Sequence, residues 1–325
     1  MNAQASVLAP PVPAAPAVER PAFAAPAAAP ARPARAVRQS ILDYIALTKP
    51  RLTGMAVFTA LAAFLMAWEG PVPIVRVANL FIGTLLAGMG AGALNMVIER
   101  DADARMERTR RRPLPAGRLT PNEVLTFGVL TAAGGVLYLT AQVNLLTGAV
   151  AALTLGTYLA GYTPLKRVSS LNTVVGAVSG ALPPIMGWTA ARNGVDAGGW
   201  ALFAIVFLWQ LPHFLAIAWR YRADYARAGF AMLPVLEPDG VSTARQATLQ
   251  CFALLIVSLW PAGLGLAGRT YLFGALGLGL AFLAAAAAFG LKRTETSARR
   301  LFLASVVYLP LLLAIGVLDK ALLRR

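Results

Sequence analysis

The feature that most constrains this chain is a series of apolar segments, each long enough to cross a lipid bilayer as a helix. Inside a bilayer every backbone polar group must be satisfied by the protein itself, which leaves helices and closed barrels, and segments of this length favour helices. We therefore predict an all-α polytopic membrane protein with nine transmembrane helices. The predicted spans are residues 52–68, 78–98, 122–141, 145–162, 171–190, 200–219, 247–267, 270–291 and 301–318.

Composition supports a membrane protein and excludes several other classes. Of the residues, 58% are apolar and 13% are charged, and the mean hydropathy is +0.65, which is more apolar than a soluble domain. The only cysteine, Cys251, excludes a disulfide framework, and the only histidine, His213, argues against a zinc site of several His or Cys ligands. Residues 1–38, rich in Ala and Pro, are predicted to be a disordered tail, which leaves 39–325 as one membrane domain.

The distribution of basic residues predicts the orientation of the helices. The formal net charge is +15, but the basic residues lie in loops between apolar spans, so we expect no nucleic-acid partner. If the N-terminus is cytoplasmic, loops 99–121, 163–170, 220–246 and 292–300 hold 17 Lys and Arg, whereas the opposite loops hold three. The positive-inside rule therefore predicts a cytoplasmic N-terminus. As a separate expectation, we take the membrane to be the inner membrane of a bacterium.

A row of polar residues follows the second span. Asn95, Glu99 and Asp103 are spaced four residues apart, so a helix would stack them on one face. Acidic residues at the border of a membrane helix usually have a function, and carboxylates that bridge to phosphates suit Mg²⁺. The alternative is a solvated loop that neutralises itself through its own Glu–Arg and Asp–Arg pairs.

Arginines crowd the same segment. Arg108 and Arg112 lead into the rigid turn Pro-Leu-Pro-Ala-Gly, and guanidinium groups bind phosphate oxygens with two hydrogen bonds and stabilise a leaving diphosphate. A further basic patch, residues 162–167 (YTPLKR), emerges on the same predicted side. Membrane topology alone would account for some of these charges. These two segments and the polar residues that follow His213 all lie on one predicted face, however, which favours a site for a diphosphate.

Residues 209–235 form a second polar constellation. His213 lies within the sixth predicted span, and Arg222 and Asp224 follow where that span reaches the cytoplasmic side. A histidine in a membrane helix is either a packed hydrogen-bonding residue or a ligand, and the spacing alone leaves both open.

The ordered motifs carry a resemblance to a known family. The segment from Asn95 to Gly117 resembles the first Asp-rich signature of the UbiA superfamily of intramembrane prenyltransferases. YTPLKR, SLNTVVGAVSGALPPIMGW and WQLPHF with DYARAGFAMLPV are similar to the branch of that superfamily that farnesylates haem. The resemblance runs in order from about residue 44 to residue 325. It implies a UbiA-type bundle of nine helices, with farnesyl diphosphate as donor and haem B as acceptor, giving haem O.

The resemblance also implies roles for individual residues. Asn95, Glu99 and Asp103 would bind Mg²⁺, with Asp224 as the remaining carboxylate of the second motif. His213 would serve the haem acceptor, as an iron ligand or as a contact to a propionate or vinyl group. The diphosphate contacts would be Arg108, Arg112, Lys166 and Arg167, with Lys49, Tyr162 and Asn95 beside them and Arg222 as an alternative partner.

Two departures from the family pattern leave alternatives open. Glu99 stands where the family usually has Asp, and Asp224 alone represents the second group of carboxylates. One rival function is prenyl transfer to a quinone-type or aromatic acceptor, which the presence of His213 in place of an Asp run argues against. Pro183–Pro184 predict a kink or break in the fifth span. A second rival is therefore a secondary transporter, a class that also contains broken helices. Beyond its substrates and the bilayer, the resemblance suggests a haem A synthase or oxidase assembly factors as partners.

Overall fold

The computed structural model describes residues 37–323, and its regular elements in that part of the chain are all helical. Residues 1–36, which hold nearly all of the predicted tail, lie outside the described residues, while Val37 already begins the first helix. The elements are α1 (Val37–Leu47), α2 (Pro50–Ala67), α3 (Ile74–Ile98), α4 (Arg100–Arg105), α5 (Pro121–Gln142), α6 (Leu145–Gly156), a π-helical turn (Thr157–Tyr162), α7 (Thr163–Leu165), α8 (Asn172–Arg192), α9 (Ala197–Arg220), α10 (Arg222–Ala228), α11 (Leu233–Leu236), α12 (Val241–Val257), α13 (Trp260–Gly263), α14 (Arg269–Lys292) and α15 (Glu295–Leu323).

The predicted number of spans is confirmed for the described residues, which contain nine helical segments long and apolar enough to cross a membrane. The main difference is that α12 and α15 each begin six residues before the predicted span, at Val241 and Glu295. Hydropathy detects only the apolar part of a helix, whereas these helices start among polar residues. The start of α15 is capped, since the Ser297 amide donates to the Thr294 hydroxyl at 3.2 Å.

Glycines allow α3 and α5 to pack at backbone contact. A Cβ built on Gly90 would lie 2.4 Å from the Ala132 nitrogen, and one built on Gly135 would lie 2.4 Å from the Ala87 nitrogen. These distances are too short for any side chain, so close approach of the two helices requires glycine at both positions. Packing of this kind replaces the hydrophobic driving force that is missing between helices in lipid.

Helix α8 lies at the centre of the bundle and is the most buried of the spanning segments. The sequence predicts a kink or break at Pro183–Pro184, but α8 continues through both prolines as one helix. Both prolines are buried, and α8 packs extensively against α2, α6 and α9. Neighbouring helices of this kind are what allow proline within a membrane helix.

The polar loops gather at one end of the bundle. The Ala231 amide, after α10, donates to the Lys166 carbonyl at 2.7 Å, and the Asn172 side chain donates to the Ala231 carbonyl at 3.3 Å. An apolar cluster that includes Ala102, Met106 and residues after α9 joins the segment around α4 to the same end. The three motif segments therefore form one continuous surface.

Candidate active site

The predicted row of Asn95, Glu99 and Asp103 begins in α3 and passes through a junction into α4. Glu99 lies at the junction, with φ −95° and ψ 7°. Helical hydrogen bonding continues across it, because the Glu99 amide donates to the Asn95 carbonyl at 2.9 Å and the Asp103 amide donates to the Glu99 carbonyl at 2.8 Å. All three residues are buried, with exposures of 1%, 6% and 1% in chain order. We call this row the oxygen ladder.

Both carboxylates of the oxygen ladder are paired with cations, one from the YTPLKR segment and one from the arginines that follow α4. The Lys166 ammonium donates to Glu99 Oε1 at 2.5 Å, and Arg112 Nη1 donates to Asp103 Oδ2 at 2.7 Å. Lys166 is itself buried, while Arg112 is partly exposed. Buried charges are costly unless they are paired, and removing one partner typically costs about 3–5 kcal/mol. Each buried carboxylate of the oxygen ladder therefore has a cation beside it beneath the loop surface.

Lys49 is the third cation beside the oxygen ladder, and its ammonium donates a hydrogen bond to Asn95 Oδ1. Its backbone is left-handed, with φ 46°, which costs a non-glycine residue about 1–2 kcal/mol. The segment lies so close to α3 that a Cβ on Gly92 would stand 2.8 Å from the Leu47 carbonyl oxygen. Burial lowers the pKa of Lys49 to about 7, and the nearby charge of Arg112 acts in the same direction.

A π-helical turn, Thr157–Tyr162, positions the other side of the oxygen ladder. Asn95 Nδ2 donates to the Thr163 hydroxyl at 2.9 Å, and this hydroxyl donates to the Tyr158 carbonyl, five residues back, at 2.9 Å. The wider turn thus places Thr163 against α3. Single π-turns inside α-helices are frequent at functional sites.

Tyr162 closes the cluster beside Lys166. The Lys166 ammonium lies 4.3 Å from the centre of the Tyr162 ring, within the range of a cation–π interaction. Burial alone would lower the pKa of Lys166, but the Tyr162 oxygen and the Glu99 carboxylate outweigh burial and raise that pKa above its usual value. Lys166 is therefore a fixed positive charge.

The oxygen ladder fits Mg²⁺ that is shared with substrate phosphates. The described residues contain no group of three or more His, Cys, Asp or Glu side chains arranged to hold a metal by themselves. Mg²⁺ usually binds one or two carboxylates and completes its shell with water and phosphate. Asp103 Oδ1 is buried and has no hydrogen-bond partner within residues 37–323, so it is a ligand atom that the protein leaves available.

Asp224 connects α10 to the arginine segment. Its Oδ1 accepts a hydrogen bond from the Glu107 amide at 3.2 Å, and its Oδ2 accepts one from the Arg108 amide at 3.4 Å. It also forms an ion pair with Arg227. Both carboxylate oxygens are therefore engaged in holding the chain around Arg108, and metal binding by Asp224 stays a prediction.

Arg108 lies at the mouth of a pocket that joins the motif loops. Its guanidinium donates to the Tyr225 hydroxyl at 3.1 Å and lies 4.6 Å from the centre of the Tyr221 ring. The pocket is lined by Arg108, Tyr162, Tyr225 and also Phe214, the neighbour of His213. It therefore runs from the arginine segment towards the α9 residues of the second constellation.

Arg167 and Arg222, which are two of the predicted diphosphate contacts, make no polar contact with the oxygen ladder among the described residues. Arg167 is exposed. Arg222 donates to the Trp219 carbonyl at 2.8 Å and to Glu295 of α15 at 3.1 Å. Neither guanidinium forms a hydrogen bond or ion pair with the oxygen ladder among the described residues, so a direct role in diphosphate binding stays a prediction for both.

His213 lies between α9 and α15, away from the oxygen ladder. Its Nδ1 is 2.7 Å from the Ser305 hydroxyl. The imidazole ring stacks on Trp209 at a centroid distance of 5.0 Å and on Phe302 at 5.1 Å. His213 and Phe214 have ring centroids 5.8 Å apart, so the histidine lies next to the wall of the pocket.

Sequence reasoning missed three residues of the site. Thr163 and Tyr158 orient Asn95, and Ser305 contacts His213. Thr163 lies in the YTPLKR segment, which the sequence indicated as part of the site, but its contact with Asn95 could not be predicted. Nothing in the sequence around Ser305 distinguishes it from any other small polar residue in an apolar helix.

Comparison with known proteins agrees with this geometry. Residues 56–309 match the model of the UbiA prenyltransferase family. A Protoheme IX farnesyltransferase of Solibacter usitatus is 47% identical over 287 residues, which is 86% of this chain and 98% of that protein. A Protoheme IX farnesyltransferase of Opitutus terrae is 43% identical over 282 residues, covering 86% of this chain and 95% of that protein.

Solved structures share the fold at low sequence identity. A structure described for digeranylgeranylglyceryl phosphate synthase has a TM-score of 0.72 and 16% identity, over 87% of this chain and 99% of that chain. A UbiA homolog from Archaeoglobus fulgidus bound to DMAPP and Mg²⁺ has a TM-score of 0.63 and 14% identity, over 86% of this chain and 99% of that chain. The prediction of an all-α bundle of this type is thereby confirmed.

Proposed function

The chain belongs to the UbiA prenyltransferase family, and from that membership we propose that it transfers a farnesyl group from farnesyl diphosphate to a vinyl group of haem B. Water adds in the same reaction, and the products are haem O and diphosphate. The observation that carries this proposal is the buried oxygen ladder, whose members each contact a cation. It supplies both oxygen ligands for a metal and cations for a diphosphate.

Binding of the donor is assigned to the loop end of the bundle. Asn95, Glu99 and Asp103 would hold Mg²⁺, and the free oxygen of Asp103 supports this assignment. Lys49, Lys166 and Arg112 would contact the diphosphate, because each already presents its charge to the oxygen ladder. Arg108 would close over the same group from the pocket mouth, beside Tyr162.

The chemistry requires a good leaving group and a controlled supply of water. Mg²⁺ would supply charge neutralisation of the diphosphate oxygens. As the C–O bond breaks, its electron pair leaves with the diphosphate, and donors from Arg112 and Lys166 stabilise the charge that develops. The farnesyl cation is then attacked by the terminal vinyl carbon of haem. Water adds to the resulting carbocation and loses a proton, which completes the hydroxyethylfarnesyl group without a protein nucleophile.

The acceptor assignment rests on the relatives and on the second constellation. Relatives that are 43–47% identical over most of this chain are named Protoheme IX farnesyltransferase, which favours haem over a quinone-type or aromatic acceptor. Family membership decides against the transporter alternative. His213 is proposed as the haem contact, because it lies beside Phe214 at the wall of the pocket that Arg108 also lines.

We further propose that the protein lies in the bacterial inner membrane with its N-terminus and motif loops on the cytoplasmic side. The bacterial relatives and the loop charges support this. In a Cys251→Ser background, single cysteines replacing the exposed residues Val72 and Val168 would report the orientation. An impermeant maleimide should label position 72 in intact cells and position 168 only after permeabilisation, and the reverse pattern would overturn the orientation. A haem A synthase that receives the product stays a predicted partner.

The decisive experiment uses the purified full chain in nanodiscs. Haem B, farnesyl diphosphate and Mg²⁺ are supplied, and the haem fraction is analysed by mass spectrometry. The expected product has the mass of haem B plus one farnesyl group and one hydroxyl group, and EDTA should abolish it. A prenylated product formed only when haem is replaced by an aromatic acceptor would reject the proposal.

A further inference from the structure

We infer that Ser305 is a positioning residue that fixes His213 in one tautomer, with the proton on Nδ1 and a free lone pair on Nε2. The inference deepens the proposed function, because it identifies which nitrogen would meet a haem iron. It starts from a pair of hydrogen bonds between α9 and α15. Ser305 is fully buried, and His213 is partly buried.

The proton can be assigned by counting donors. The Ser305 hydroxyl donates to the Phe302 carbonyl, one helical turn back, at 2.5 Å. The same hydroxyl oxygen lies 2.7 Å from His213 Nδ1. A hydroxyl has one hydrogen and two lone pairs, so once its hydrogen is used for Phe302 it can only accept from the imidazole. With the hydroxyl hydrogen assigned to the shorter of the two contacts, the one to Phe302, Nδ1 carries the proton, and in a neutral imidazole Nε2 then carries the lone pair.

The surroundings hold the ring in this orientation. Trp209 and Phe302 stack on the imidazole with interplanar angles of 22° and 30°. The Trp209 indole donates to the Ser305 carbonyl at 2.7 Å. Ser305 therefore receives hydrogen bonds from two residues one turn apart on α9, through its hydroxyl and through its carbonyl. Rotation of the imidazole would break the first bond while the stacked rings resist the movement.

A histidine prepared in this way suits the iron of a porphyrin. Metal-bound histidines generally donate their second ring N–H to a fixed acceptor, which sets the tautomer and the ring plane, and loss of that acceptor usually weakens metal affinity about 10–100-fold. Ser305 takes the place of such an acceptor. The lone pair on Nε2 is the atom we assign to the haem iron, and this part rests on the proposed function.

The tautomer can be measured without any substrate, since the chain has a single histidine. Protein labelled with ¹⁵N-histidine gives one pair of ring nitrogen signals. The expected spectrum at neutral pH shows a protonated Nδ1 and an unprotonated Nε2. Ser305→Ala should produce a mixture of tautomers, whereas Ser305→Thr, which keeps a hydroxyl, should retain the original one. A wild-type spectrum with the proton on Nε2, or no change in Ser305→Ala, would overturn the inference.

A second measurement tests the link to iron. Ferric haem B is titrated into the same protein without farnesyl diphosphate, and the Soret band reports axial ligation. Ser305→Ala should bind haem about 10–100-fold more weakly, and His213→Ala should lose the ligated spectrum. Ser258→Ala is the matched control, because it removes a buried serine bond of 2.7 Å to Tyr308 elsewhere in the bundle, and its haem affinity should not change.

The two measurements separate the inference from the function on which it rests. If the protein forms no haem O but Ser305 still controls the tautomer, the function fails and the positioning role stands. If haem O forms while Ser305→Ala leaves the tautomer of His213 unchanged, the positioning role fails and the function stands. An unchanged haem spectrum in His213→Ala would reject iron ligation by Nε2.

Discussion

Replacing Asp224 by Asn tests whether this carboxylate anchors the arginine segment or binds the metal. Asp224 is 7% exposed, and its two oxygens accept from the Glu107 amide at 3.2 Å and from the Arg108 amide at 3.4 Å. Asn has the same shape but only one acceptor oxygen. Its NH₂ group would face a backbone N–H, so one anchoring bond is lost and the other becomes a neutral one.

The size of the effect follows from these bonds. A hydrogen bond to a charged group contributes about 1.5–3 kcal/mol and a neutral one about 0.5–1.5 kcal/mol. Because both distances are at the long end of the hydrogen-bond range, the lower values apply, and the combined loss is about 2.5 kcal/mol. A loss of this size corresponds to about a 70-fold fall. We expect it in kcat/KM, because Arg108 would occupy its position less often.

The assay is turnover of haem B and farnesyl diphosphate as a function of Mg²⁺ concentration. If Asp224 is an anchor, Asp224→Asn lowers the maximal rate but leaves the Mg²⁺ midpoint unchanged. The matched control is Asp196→Asn, because Asp196 accepts from the amides of Gly198 and Gly199 at the other end of α9. It should lower stability and leave turnover intact. A Mg²⁺ midpoint raised tenfold or more in Asp224→Asn would refute the anchoring argument and favour metal binding.

Three further substitutions have defined outcomes. Asp103→Asn should abolish turnover, because it weakens the proposed metal ligand, while size-exclusion chromatography in detergent shows a folded protein; near-normal product formation would remove Asp103 from the metal site. His213→Ala should raise the KM for haem B much more than that for farnesyl diphosphate, and a fall in thermal stability alone would instead indicate a packing role. Gly92→Ala should lower turnover at least tenfold, because its Cβ would stand 2.8 Å from the Leu47 carbonyl and displace the segment that carries a cation of the site. Gly134→Ala, with no atom within 4 Å of the added Cβ, is its control and should be as active as the wild type in the same assay.

The fold could be predicted largely because a bilayer imposes a simple rule on the sequence. Each span must be apolar and about 20 residues long, so hydropathy alone locates it. Helix ends were less predictable, since α12 and α15 begin among polar residues that hydropathy treats as loop. The oxygen ladder was predictable for a related reason. Its spacing of four residues matches the helical repeat, and the hydrogen bonds across Glu99 preserve that repeat although the helix is interrupted.

Two of the three cations that contact the ladder could not be predicted, because they come from distant parts of the chain, whereas Arg112 lies only nine residues from Asp103. Lys49 lies 46 residues from Asn95, and Lys166 lies 67 residues from Glu99. No periodicity in the sequence specifies such pairs, and the choice of partner depends on how the helices pack. Ser305 is the extreme case, since it lies 92 residues from His213, within the apolar middle stretch of α15.

Because the charges of the oxygen ladder are paired, replacing one of them gives a result that is harder to interpret than replacing Asp224 or Ser305. Glu99 and Asp103 are buried, so each needs a cation for the protein to fold around it. The same cations are the groups proposed to receive the diphosphate, which makes Lys166 and Arg112 structural and functional at once. Loss of activity on replacing either one would follow from both roles. Asp224 and Ser305 contact no metal or diphosphate in this scheme, so they affect only the position of other groups. Their variants can therefore separate the arrangement of the site from its charge.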